Sequence, residues 1–122
     1  MEEKERKFKH ERFFKHLSAI MTKDENNELI NLTEIYEDHG CPKYKSPRRR
    51  LHYPRGKQLI QYEIERNNNE IEKVIKYDGK TIYGNYSLAI TYLREIDAYN
   101  YYLFTDFLMK SEPDILKKFL KF

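Results

Sequence analysis

The chain has 122 residues and a net charge of +3, so it can form one domain with one modest core. Its 11 Tyr and 7 Phe exclude a disordered chain, because disordered chains are poor in aromatic residues. The single cysteine, Cys41, excludes an internal disulfide, and no apolar run reaches the roughly 18 residues of a membrane span or forms a signal core, so we expect a soluble intracellular protein.

The first 22 residues do not follow a single secondary-structure pattern. Residues 1–11 are highly charged, with Phe8 as their only large apolar side chain, and predict a loosely docked arm. The apolar spacing within 12–22 fits a helical stripe, whereas the run FFKHLSAIM fits a strand equally well. Residues 24–27 resemble a turn and 28–32 an extended segment, so a first strand within 12–22 is favoured.

A short helix is predicted next, from residue 33 to 39. Thr33 is the expected N-cap, and Glu34 places a negative charge in the first turn, where the helix dipole favours it. Gly40 is the expected C-terminal stop.

Proline and serine predict two further helices. Ser46 followed by Pro47 is typical of a helix start, and this helix continues until Pro54 interrupts it. A third helix begins near Gly56 and ends in the run 66–69.

The periodicity then changes from helical to alternating. Residues 71–77 alternate as in a strand, Asp78-Gly79 is typical of a tight hairpin turn, and residues 80–83 return as the second strand.

The remaining chain predicts helices. Asn85 caps a helix over 86–110, with a bend or break at Asp97-Ala98, and a C-terminal amphipathic helix begins with Ser111 as its cap. We expect one stripe of the long helix to face the core, formed by Leu88, Tyr92, Ile96, Tyr99, Leu103 and Phe107.

One segment concentrates the positive charge of the chain. Residues 39–62 contain no Asp or Glu, so the rest of the chain carries a net negative charge. A basic face of this kind most often meets phosphates, although a solvated loop whose arginines pair with carboxylates is the alternative. The seven cations are Lys43, Lys45, Arg48, Arg49, Arg50, Arg55 and Lys57.

Nucleic-acid contacts are predicted for this segment and for the hairpin. Arginine can bind guanine through two hydrogen bonds, and glutamine can do the same with adenine. Three consecutive helical arginines span about 200°, so one of them, Arg49 in our prediction, packs or pairs with an acid. The predicted DNA-binding residues are Lys43, Lys45, Arg48, Arg49, Arg50, His52, Arg55, Lys57, Gln58, Lys73, Lys76 and Lys80.

Catalytic and metal chemistry find little support. His39, Cys41 and His52 match no usual zinc spacing, and His16 in its charged surroundings is expected to be solvated. The basic surroundings of Cys41 are expected to lower the pKa of its thiol. The acidic pairs, such as Glu63 and Glu65, have no neighbouring catalytic motif, so we expect no enzyme activity and no cofactor.

Residues 28–109 resemble the KilA-N domain of bacteriophages and large DNA viruses, which is related to fungal APSES domains. The similar stretches are ELINLTEI (28–35), RRRLHYPRGKQLIQYEIE (48–65) and DGKTIYGNYSLAITYLREIDAYNYYLFTDFL (78–108). The chain departs from the family pattern at Leu51, which stands where the family has Trp, and at Ile82 and Gly84, which replace the Trp and His of a T-W-V-H motif.

The resemblance implies an α+β fold of the winged helix-turn-helix type, with a hairpin wing and flanking helices. It divides the chain into an arm with a first strand (1–22), a DNA-binding domain (23–110) and a C-terminal helix on the same domain (111–122). It further implies a regulatory protein of phage or viral origin that binds duplex DNA in the host cytoplasm, on the nucleoid if the host is bacterial.

A second function fits the same residues. A small viral inhibitor would use the basic face to bind an acidic host protein or a nucleic-acid-binding enzyme. The aromatic run YNYYLF (99–104) is typical of core and interface positions, and a homodimer seam is one of its interpretations.

Overall fold

The computed structural model describes the backbone of residues 2–120 and the side chains of residues 11–120, and that part of the chain is an α+β fold. The predicted class is therefore confirmed. The helices are α1 (Glu2–Glu25), α2 (Leu32–His39), α3 (Pro47–His52), α4 (Pro54–Arg66), α5 (Tyr86–Ile96), α6 (Ala98–Ser111) and α7 (Pro113–Leu120). The strands are β1 (Ile30–Asn31), β2 (Ile75–Asp78) and β3 (Thr81–Gly84), and 3-10 turns occupy Lys43–Lys45 and Ile71–Lys73.

The predicted first strand within 12–22 is wrong, because these residues belong to α1. Phe13, Leu17 and Ile20 recur at helical spacing and are at most 4% exposed. They join the core, in which α1 packs against α5 and α6. The local sequence of 12–22 fits a helix and a strand equally well, and burial of this stripe favours the helix. The side chain of Phe8 lies outside the described residues.

The three strands form one antiparallel sheet in the order β1-β3-β2. The hairpin turn lies one residue later than predicted, at Gly79-Lys80, because Asp78 pairs with Thr81 as the last strand residue. Gly79 has a φ of +60°, which a glycine adopts without steric cost. The expected strand over 71–77 is wrong at its start, where the N–H of Val74 donates to the carbonyl of Ile71 and closes a 3-10 turn.

The start of α2 differs from the prediction by two residues. Asn31, rather than Thr33, is the N-cap, and its side chain accepts a hydrogen bond from the N–H of Glu34 at 2.9 Å. The hydroxyl of Thr33 instead accepts one from the N–H of Ile82 at 3.0 Å, which ties α2 to the sheet. The predicted stop at Gly40 is confirmed, with φ at +60°.

The predicted break at Asp97 is confirmed, but the predicted core stripe holds only for α5. Leu88 and Tyr92 of α5 are buried, whereas Leu103 and Phe107 of α6 are 45% and 59% exposed. The interruption rotates α6 relative to the continuous helix, so α6 buries a different set of side chains. These are Asn100, Tyr101 and Leu108, with Phe104 partly buried.

The C-terminal helix packs against α6. Ser111 is the last residue of α6 rather than the cap of α7, so that prediction is wrong. Phe119 is buried, and its ring lies 5.4 Å from the ring of Phe104, centroid to centroid. The hydroxyl of Tyr86 donates a hydrogen bond to the carbonyl of Phe119, which anchors α7 to α5.

Candidate nucleic-acid interface

Most of the predicted DNA-binding residues lie on one continuous unit, which we call the basic unit and define as residues 43–58. It consists of the 3-10 turn, α3 and the first half of α4. Ser46 caps α3 as predicted, since its hydroxyl accepts a hydrogen bond from the N–H of Arg49 at 3.4 Å. Pro54 ends α3 and opens α4, two residues before the start predicted at Gly56. The remaining three predicted residues, Lys73, Lys76 and Lys80, lie near or on the hairpin.

A close backbone approach holds the two helices of the basic unit together. A Cβ atom on Gly56 would lie 2.2 Å from the carbonyl oxygen of Arg50 and 2.7 Å from the Cα of Leu51. Only glycine fits at such a distance without a backbone shift. The first turn of α4 therefore rests directly on the last turn of α3.

Five of the seven cations of the basic unit are exposed, Lys45 and Arg50 are partly buried, and Arg50 has a carboxylate partner. Arg50 lies with its Nε 3.4 Å from Oε2 of Glu95. Within residues 11–120, the other six cations of the segment have no carboxylate oxygen within 4 Å. The prediction that Arg49 packs or pairs with an acid is therefore wrong, since Arg50 does so and Arg49 is exposed. The reason is helix rotation, which turns position 50 towards α5.

A groove with a cavity volume of about 640 Å³ separates the basic unit from α5. Arg50, Arg55 and Arg94 line it together with the ring of Tyr53, and Glu95 supplies its negative charge. The guanidinium carbon of Arg50 lies 6.0 Å from the centroid of the Tyr53 ring, within the range of a cation–π contact. Arg50 is thus fixed from two sides, while Arg55 remains exposed at the rim.

A buried tyrosine attaches the 3-10 turn to the core. The hydroxyl of Tyr92 donates a hydrogen bond to the carbonyl of Lys45 at 2.6 Å. Burial raises the pKa of this hydroxyl, so it remains a hydrogen-bond donor at any physiological pH. The backbone that carries Lys43 and Lys45 is therefore held in place, and Lys43 is exposed whereas Lys45 is partly buried.

The three lysines of the hairpin region have different surroundings. Lys73 lies in the 3-10 turn before the hairpin, where it pairs with Glu70, and this hydrogen bond raises its pKa. Lys76 lies on β2 with its Nζ 5.7 Å from the centroid of the Tyr83 ring. Lys80 is exposed in the hairpin turn. Lys76 and Lys80 are therefore better placed than Lys73 to contact an anion.

A buried carboxylate joins α4 to the hairpin and to α5, and sequence reasoning missed it. Glu63 is 1% exposed, and its Oε1 accepts hydrogen bonds from Nδ2 of Asn85 at 2.9 Å and from the guanidinium of Arg66 at 3.2 Å. Asn85 also caps α5, accepting from the N–H of Leu88 at 3.0 Å, and its own N–H donates to the carbonyl of Val74. The position of the hairpin base beside α4 depends on this contact.

Two predictions about reactive side chains are wrong. Burial, the largest influence on Cys41, raises the pKa of its thiol, although Lys45 and Arg12 act in the opposite direction. His16 is buried rather than solvated, and it donates from Nε2 to Oδ2 of Asp38 at 2.9 Å. No group of three metal-ligating side chains is close enough to hold an ion among the described residues.

His16 makes stability depend on pH. Burial has the largest effect on His16 and lowers its pKa below 6.5. The imidazole of His39, whose ring centroid is 5.2 Å away, lowers this pKa further. Asp38 and Lys15 are the other charged neighbours of His16. Because the folded-state pKa is depressed, the unfolded chain binds the proton first as the pH falls. Stability is therefore retained above pH 6.5 and decreases below it, by at most about 1.4 kcal/mol per pH unit for one proton.

Urea unfolding at pH 7.5 and 5.5 measures this effect. His16→Gln keeps a donor for Asp38 but does not titrate, so we expect its free energy of unfolding to change less between the two pH values than that of the wild type. An equal change in both proteins contradicts the assignment to His16.

Comparison of the chain with protein-family models, with curated proteins and with solved structures finds no match. No helix in the described part of the chain combines the length and the apolar character that crossing a membrane requires. The features that bear on function are therefore the geometry and charge of the basic unit and the hairpin.

Proposed function

We propose that this protein binds duplex DNA as a regulatory protein of a phage or virus. The observation that carries the proposal is the set of six cations of the basic unit, none of which has a carboxylate oxygen of residues 11–120 within 4 Å. A loop whose arginines pair with acids, the alternative interpretation of the sequence, would not leave these charges free. Unpaired Lys and Arg on one surface favour a polyanionic partner.

The arrangement suits a winged helix-turn-helix mode of binding. α3 and α4 are joined at Tyr53 without an intervening loop, and the two-stranded hairpin follows α4. α4 has 13 residues and a length of about 20 Å, and the major groove of B-DNA admits a helix. In this mode α4 enters the groove and the hairpin contacts the flanking backbone through Lys76 and Lys80.

The predicted contact residues divide into those that position the protein on the DNA and those that read bases. Arg48 and Arg49 are exposed in the first turn of α3, where backbone N–H groups add to the attraction for phosphate. Gln58 is exposed on α4 and has the donor and acceptor pair that adenine requires. Arg50 is held by Glu95 and Tyr53, so it positions the unit rather than reads a base.

Salt-dependent binding to random duplex DNA tests the proposal. If about six phosphates are neutralised, log K falls with log salt at a slope of roughly −5. Replacing Arg48 and Arg49 with Ala removes two contacts and reduces the slope by about 2, with a loss of affinity of about 10- to 100-fold at moderate salt. Fluorescence anisotropy between 50 and 300 mM salt measures both quantities.

Lys117→Ala with Lys118→Ala is the matched control. Both lysines are exposed on α7, and the substitution changes the net charge by the same amount outside the basic unit. We expect the control to bind DNA as the wild type does. Absence of wild-type binding at 50 mM salt, or an equal loss in the control, rejects the proposal.

A protein partner is the second candidate, and exposed tyrosines favour it. Three tyrosines lie in residues 39–62, the stretch that contains the seven cations. Tyr44, Tyr53 and Tyr62 are 51%, 45% and 60% exposed. Tyrosine and arginine are both enriched in protein–protein interfaces. Capture of a specific host protein that persists after nuclease treatment would favour an inhibitor, whereas capture that nuclease abolishes favours DNA binding.

A further inference from the structure

The outward face of α6 exposes an unusual amount of apolar surface. Tyr99, Tyr102, Leu103 and Phe107 are spaced at three and four residues and lie on one side of the helix, away from its buried face. Their exposed fractions are 70%, 59%, 45% and 59%. Met109 of α6 and Phe14 of α1 extend this surface, at 61% and 48% exposure. We call these six residues the α6 face.

The area of the α6 face is large for a monomer. A fully exposed aromatic side chain offers about 150–250 Å², so the six side chains together expose on the order of 600 Å². The largest apolar patch of a typical monomer is about 300–600 Å². Two such faces buried against each other remove about 1,200 Å² from water, which reaches the lower end of specific interfaces.

The α6 face combines a groove with exposed side chains beside it. A groove with a cavity volume of about 710 Å³ runs between α1 and α6, with Phe13, Phe14 and Phe104 among its lining residues. The protruding side chains of Tyr99 and Met109 lie on the same helix but outside this groove. A two-fold interface requires a surface that carries both a projection and a recess, and this face carries both.

The charge of the α6 face also favours a second copy. Asp106 and Lys110, which line the groove beside the α6 face, pair with each other at 3.1 Å, so two copies meet there without like-charge repulsion. Contact through the basic unit would bring together, from each copy, six cations that have no carboxylate oxygen of residues 11–120 within 4 Å. α6 packs on α1, α5 and α7, so the α6 face and the basic unit are carried by different helices.

We propose that the α6 face is the interface of a homodimer with two-fold symmetry. The interface is apolar at its centre. At its rim, Asp106 of one copy can pair with Lys110 of the other in place of its own Lys110. This inference does not depend on DNA binding, because it rests on the area, shape and charge of a surface outside the basic unit.

Sedimentation equilibrium of the full chain without DNA tests the dimer. For an interface at the lower end of the specific range we expect a dissociation constant on the order of 10 μM. Leu103→Asp and Phe107→Asp each place a charge at the centre of the interface, and we expect each to weaken dimerisation at least about 30-fold. Both positions are exposed, and circular dichroism checks that the helices remain folded.

Ile71→Asp is the matched control, because Ile71 is 54% exposed and lies in the 3-10 turn before β2. We expect it to dimerise as the wild type does. A wild type that stays monomeric at 100 μM assigns the α6 face to another occupant and overturns the proposal. A dimer that persists in Leu103→Asp and Phe107→Asp, or open-ended oligomers instead of a closed dimer, also overturns it.

Discussion

Gly56→Ala is expected to lower the free energy of unfolding by about 2–3 kcal/mol, although alanine is the better helix former. The added methyl group would lie 2.2 Å from the carbonyl oxygen of Arg50 and 2.7 Å from the Cα of Leu51. These are backbone atoms, which cannot move away as a flexible side chain does. α3 and α4 must therefore separate, and urea denaturation measures the loss.

Gly40→Ala separates this steric effect from a general effect of replacing glycine. Gly40 has a φ of +60°, and an added Cβ would find no atom within 4 Å. Its substitution is expected to lower the free energy of unfolding only by the conformational strain, about 1 kcal/mol. A Gly56→Ala protein as stable as the wild type would show that the two helices are not in backbone contact.

The second large effect is expected at the buried carboxylate. Glu63→Ala removes the acceptor of the Asn85 amide and of the Arg66 guanidinium, and it leaves the partly buried amide without this acceptor. We expect a loss of about 3 kcal/mol, since breaking a buried ionic contact on one side costs about 3–5 kcal/mol and half of Arg66 is exposed. Urea denaturation measures this change as well.

Glu65→Ala is the control for this position. Glu65 lies on the same helix but is exposed and accepts a hydrogen bond from Gln61, so the substitution is expected to change stability by less than about 0.5 kcal/mol. A double-mutant cycle of Glu63→Ala with Asn85→Ala isolates the contact itself, and we expect a coupling free energy of at least about 1 kcal/mol. Additive single effects would show that Glu63 does not act through Asn85.

The sequence predicted the elements whose signals are local. Gly40, Ser46, Pro54 and Asn85 end or begin helices through their own backbone and side-chain chemistry, and the structure confirms each of these roles. The hairpin was also predicted, although its turn is displaced by one residue. A cap or a turn needs no distant partner, so a single sequence is sufficient to locate it within a residue or two.

The predicted caps at Thr33 and Ser111 are local errors of one or two residues, whereas the larger errors occur where distant contacts decide. Residues 12–22 fit either period, and packing of Phe13 and Leu17 against other helices selects the helix. The predicted core stripe continues through Asp97, whereas the helix breaks there and α6 buries a different side. Which of three arginines pairs with an acid depends on the position of Glu95, which the local pattern does not contain.

Glu63 shows the same limit for a polar residue. A glutamate within a charged sequence predicts a solvated side chain, and its burial becomes understandable only when Asn85, 22 residues later, is seen to donate to it. The signal that was available is the spacing of Glu63 from Leu59 and Ile60, which places it beside the apolar face of α4.

The contact between Glu63 and Asn85 closes a 22-residue loop that contains the whole hairpin. Because both ends of the loop are fixed, the conformational entropy of placing the hairpin beside α4 is lost during folding and not again on binding. In the proposed mode of DNA binding, Lys80 and the cations of α4 are two linked contact sites with a high effective concentration for each other. In that mode, a polyanion that reaches both surfaces is held through avidity, whereas a short anion that reaches one gains nothing from the linkage.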